Sequence, residues 1–164
     1  MPRSAESEFA LIRDHLEDAL EAPTDPARWG SAATDADLYV SLADAAAEIA
    51  DLPTLERYAP LALAAARRLD HRLYAAVAER ADGIRLRALG HFADSLEPLS
   101  RAFVAFDRLG TRWQTGQTLM ARAATYAALG QDPLARGDRL QALDLFTALG
   151  ARPAAEAAAR LLRE

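Results

Sequence analysis

The chain has 164 residues, 51% of them hydrophobic and 26% charged, with a formal net charge of −5 and no cysteine. A length of this order fits one domain with its own core, and the missing thiols exclude disulfides, thiolate metal sites and cysteine nucleophiles. All 19 basic residues are arginine, interleaved with acids, so no electropositive field gathers nucleic acid or an anionic lipid surface.

From the start of the chain, MPRSAESEFALIRDHLEDAL carries Glu6, Glu8, Asp14, Glu17 and Asp18 among its apolar residues, which excludes the unbroken apolar core of a signal peptide. No run approaches the roughly 20 apolar residues that span a bilayer. A cytoplasmic protein without a membrane partner is expected. The same stretch predicts a helix over 5–22 with Phe9, Ile12, Leu16, Ala19 and Leu20 on one face, placed as a cap over the end of a helical stack. Prolines at 23 and 26 and Gly30 then predict a linker over 23–34.

Beyond the linker the sequence superimposes on itself at a shift of 40 residues. RLDHR (68–72), RLGTR (108–112) and ALGAR (148–152) fall in register, and RWGSA (28–32) reads as a decayed fourth copy. Upstream of each lies a stripe with helical spacing: Ala62, Ala66 and Leu69; Ala102, Phe106 and Leu109; Ala142, Phe146 and Leu149. A second stripe runs Ala43, Ala46 and Ile49; Gly83, Leu86 and Leu89; Ala123, Tyr126 and Leu129. These define helix B and helix A of each pair. With β-branched residues sparse, the class is all-α: a right-handed stack of antiparallel helix pairs, about seven to eight helices in one domain over 1–164. The pairs occupy 35–70, 71–110 and 111–150, and a last helix lies in 151–164.

The punctuation agrees. Gly90, Gly110, Gly130 and Gly150 stand where a helix ends in a left-handed residue. Thr111 with Gln114 reads as a capping box, Asp132 as the N-cap beside Pro133, and Pro53 as a helix opener. Pro60 and Pro98, near the second turn of their helices, should bend or delay them.

Chemistry-bearing patterns are scarce. His15, His71 and His91 have no ligand-type partner four residues on along a shared face, and HExxH, P-loop and GxSxG motifs are missing, so neither a metal, a cofactor nor an enzymatic activity is expected. His71 and His91 read as turn residues, and the serines, Ser95 among them, as caps or solvated positions.

Within 76–109, Gly83, Leu86, Gly90, Phe92, Ser95, Leu99 and Ala102 match the small-residue and aromatic positions of the tetratricopeptide pattern; Ala123, Tyr126, Gly130, Ala135 and Ala142 do so within 116–149. The chain thus resembles tetratricopeptide-like helical repeats over about 35–150, with a longer period and with Glu79 or Leu119 at the pattern's Trp position. The ending ALDLFTALGARPAAEAAARLL (142–162) looks like the closing repeats of bacterial LuxR-type regulators and signal-transduction ATPases.

The resemblance implies a concave groove lined by the A helices: Asp37, Val40, Asp44, Ala47 and Glu48; then Val77, Arg80, Ile84, Arg87 and Ala88; then Gln117, Met120, Ala124, Ala127 and Ala128. Its binding candidates are Asp44, Glu48, Arg80, Arg87, Gln117 and Met120. Arg80 and Arg87 can clamp a partner's carboxylates, or pair with Asp44, Glu48, Glu79 or Asp82. The expected role is a non-catalytic scaffold or adaptor for a protein or peptide partner. The alternative is a sensor binding a small molecule or signalling peptide in a bacterial regulatory system. Apolar ends of the stack also allow a homodimer.

Overall fold

A computed structural model describes residues 31–163 and, before them, residues 11, 13–15, 17 and 18, which are helical. From residue 31 on, seven helices succeed one another: α1 (Ser31–Ile49), α2 (Leu52–Arg68), α3 (Arg72–Ala88), α4 (Phe92–Leu109), α5 (Arg112–Ala128), α6 (Asp132–Ala148) and α7 (Arg152–Leu161). No strand occurs among the described residues. Consecutive helices pack together: α1 with α2, α4 with α5, α5 with α6, and α6 with α7. No described helix is long and apolar enough to cross a membrane.

One turn geometry joins the helices. Positive φ occurs at Ala50, Asp70, Gly90, Gly110, Gly130 and Gly150. The next residue in each case, from Asp51 to Ala151, donates its N–H to the carbonyl five positions back, at 2.8–3.1 Å. This is the Schellman closure, which satisfies the last carbonyls of a helix.

Helix starts are less uniform. Asp51 caps α2 by accepting from Thr54 N–H (3.4 Å) and its hydroxyl (2.7 Å), and Pro53 sits in the first turn as expected. The capping box at α5 does not form. Thr111 is the N-cap, but its hydroxyl donates back to Phe106 O at 3.1 Å and accepts from no N–H of the first turn. At α6 the N-cap is Gln131 and Asp132 is already helical. The acid serves there through its charge at the positive end of the helix. Helices α2 and α4 run through Pro60 and Pro98 without a delayed start.

The first helix boundary also moves. Ser31–Thr34, expected in the linker, form the first turn of α1, since nothing after Gly30 breaks a helix and Ala32 and Ala33 favour one. The rest of the linker, Trp29 and the apolar residues 9, 12, 16, 19 and 20 lie outside the described residues.

The chain divides into two compact units, Met1–Arg85 and Leu86–Glu164. In the first, α1 buries Ala36, Val40, Ala43 and Ala46; α2 buries Leu55, Tyr58, Ala59, Ala62 and Ala66; and α3 buries Ala76, Val77, Ala81 and Ile84. Glu17, from the preceding helical residues, accepts from Tyr58 Oη at 2.8 Å and from Arg57 at 3.2 Å. In the second, Leu99, Ala102, Phe106, Leu119, Ala123, Ala135, Ala142 and Phe146 form the interior. Alanine at the contact positions lets helix axes approach closely.

The third residue of the helix B stripes does not join the core. Leu69, Leu109 and Leu149 are 37%, 42% and 43% exposed, while the two stripe residues before each are buried. The chain leaves the helix at these leucines, so their direction is set by the turn and not by the helical face.

Candidate functional site

The acids and the arginine expected to meet a partner meet each other. Arg80, on the inward face of α3, has a side chain only 2% exposed and forms ion pairs with Asp44 and, at 3.7 Å, Glu48, both on α1. Six residues earlier on α3, Tyr74 Oη donates to Asp37 of α1, and this bond raises the phenol above its ordinary range, with burial adding to the shift. Three acids of α1, at spacings of seven and four, are thus spent along α3. Glu79 is buried and lies 3.7 Å from Arg67 of α2. Polar groups at this depth persist because each has a counter-charge or a hydrogen bond.

Arg87, two turns beyond Arg80, has no such supply. It is half-buried, its Nε is buried without a hydrogen-bond acceptor, and it enters no ion pair among the described residues. Burial alone lowers its guanidinium below the usual range. It falls in the second unit, as do Gln117 and Met120. Gln117 is half-buried on α5, and Met120 packs against Leu119, Ala142 and Phe146, where its thioether fills core space. Of the further groove positions, Val40, Val77 and Ile84 are buried, at 6%, 6% and 7% exposure.

The second unit has its own polar lock, which sequence reasoning missed. Arg122 of α5 forms a two-pronged bond with Asp138 of α6, at 2.7 and 2.8 Å, with side chains 14% and 10% exposed. That bond raises the Arg122 guanidinium against the opposing effect of burial. Its guanidinium carbon lies 4.6 Å from the Phe103 ring centre and 5.8 Å from that of Tyr126. A spacing of sixteen residues joins two helices across a turn, so no single-helix pattern in the sequence marks it.

The remaining candidates have structural partners. Ser95 is neither a cap nor solvated: fully buried, it donates to Phe92 O at 2.9 Å and meets Thr125 Oγ1 at 3.1 Å. His71 Nδ1 accepts from Tyr74 N–H at 3.3 Å, its ring stacked 3.9 Å from that of Tyr74, and His91 is the N-cap of α4. Both occupy turns, as their positions predicted. Among the described residues no three His, Asp or Glu side chains gather as metal ligands.

These features define an all-helical protein of consecutively packed helices in which, among the described residues, buried charges are joined to partners and Arg87 is half-buried without a counter-charge. No protein-family model matches the chain, and no curated protein matches it.

Proposed function

We propose that the chain is a non-catalytic helical-repeat module that binds a protein or peptide partner, and that Arg87 receives a carboxylate of that partner. The repeat reading is supported by left-handed turn residues standing twenty apart, from Ala50 to Gly150, and by helices of 17 or 18 residues between them. Two such helices make one 40-residue unit of the tetratricopeptide type.

Arg87 carries the functional part. A guanidinium held partly out of water without a counter-charge gains from an incoming carboxylate that supplies one, with two parallel hydrogen bonds available. Arg80 is excluded from that role, because Asp44 and Glu48 already engage it and its side chain is closed to solvent.

An array of peptides with free and with amidated C-termini, incubated with the wild-type protein and with Arg87→Ala, tests the reading. Wild-type protein retains peptides with a free carboxylate; amidation or the substitution abolishes retention. Binding that ignores both changes sinks the assignment of Arg87.

A further inference from the structure

We infer that α7 is a detachable cover over a binding face for amphipathic helices, formed by α5 and α6, at a surface independent of Arg87. The face is apolar and built. Leu119 of α5 and Ala142 and Phe146 of α6 form a buried cluster, on which Phe103, Met120 and Leu145 of α4 to α6 pack together with Ala151, Ala154 and Ala155, from the turn before α7 and its first turns. A helix therefore already occupies this face, touching the cluster with alanine methyl groups and half-burying Leu161 and Leu162 at its end. Ala158 is the one fully buried residue of α7, whereas α5 and α6 bury six and four residues.

The grip on α7 is equally undemanding. Arg136 of α6 donates to Leu162 O at 3.0 Å, and Arg139 donates to Leu161 O at 3.1 Å. Both bonds go to the final carbonyls of the helix, the groups that any helix presents at its C-terminus. The site thus reads helical backbone and small apolar side chains, and its present occupant fills it weakly. Segments with little buried apolar surface open at the lowest free energy. A partner helix with larger apolar residues three and four positions apart would bury more against Leu119 and Phe146 and keep the same arginine contacts.

Occupancy by α7 makes this face self-competing. A partner's apparent affinity is reduced by the fraction of molecules in which α7 is closed, and anything that holds α7 open raises it. Gly150, with φ of +69, supplies the turn from which α7 departs.

The full-length protein with Ala158→Glu tests this, since a carboxylate at the one fully buried position of α7 expels the helix and leaves α5 and α6 unaltered. The probe is a labelled synthetic peptide with the sequence of residues 151–163. The variant keeps amide protection in α5 and binds the peptide at least about tenfold more tightly than the wild type does. Adding Arg139→Ala weakens that binding, and in the wild type α7 amides exchange at least about tenfold faster than those of α5. A folded Ala158→Glu protein that ignores the peptide overturns the inference. So does loss of protection throughout α5 in that variant, or wild-type α7 amides exchanging as slowly as those of α5, because α7 would then belong to the cooperative core.

Discussion

The ring of Phe146 on α6 fills the space that a side chain on Gly116 of α5 would need: a Cβ there would stand 2.7 Å from Cε1 and 2.9 Å from Cζ. Gly116 is thus a contact residue, chosen for close approach between two helices. Phe146 cannot yield easily, since it is 2% exposed and Trp113 packs on it with ring centres 5.2 Å apart.

Gly116→Ala should therefore destabilise the protein, overpacking of about 1–3 kcal/mol exceeding a helix-propensity gain of at most about 1 kcal/mol. Gly137→Ala, on α6 with nothing within 4 Å of the new methyl, should stabilise by up to about 1 kcal/mol. Urea midpoints of the two variants shift in opposite directions. Equal signs would contradict this packing.

The two arginines of α3 should separate in the same assay. Arg80→Ala leaves Asp44 and Glu48 without their shared cation and opens a cavity, at a cost of about 2–4 kcal/mol, discounted because both acids keep some contact with water. Arg87→Ala removes a guanidinium with no counter-charge and should change stability by less than about 0.5 kcal/mol. A large loss at Arg87 would show that it has a structural partner and is not held for a ligand.

Breaking the Arg122–Asp138 bond from either side should cost about 3–5 kcal/mol, since each change strands a charge in the interior. Arg122→Met with Asp138→Leu should cost less than either single substitution, because no charge is then left alone. A double-mutant cycle measures the coupling. Additive losses would mean that the pair is energetically inert.

Ala50 and Asp70 take left-handed turn conformations, with φ of 55° and 50°, that glycine fills at the four later turns. Ala50→Gly should raise stability by about 1 kcal/mol, and Asp70→Gly by less, since a short polar side chain tolerates this region better. Gly110→Ala should lower it by a similar amount, at φ of 70° with no clash involved. Thermal midpoints check all three.

The helix order was legible because its signals are local. Glycine after an apolar stripe marks an end, and proline after a turn marks a start; α3, α4, α5 and α6 end within about two residues of Gly90, Gly110, Gly130 and Gly150, and α2 and α6 start beside Pro53 and Pro133. Side-chain choice at the termini was harder to read. The Thr111 hydroxyl donates back to Phe106 O, a bond that depends on where the preceding helix ends in space.

The sequence by itself determined an all-helical chain and the twenty-residue spacing of its turns, because backbone geometry at a glycine or within a helical stripe depends on neighbours in the chain. Only the tertiary structure decided which charges are spent. Arg80 and Arg87 are the same residue type, seven positions apart on one helix, yet carboxylates thirty-two and thirty-six residues before Arg80 reach it and, among the described residues, none reaches Arg87. Electrostatic energy depends on distance and burial, and neither is written at that range in the order of residues.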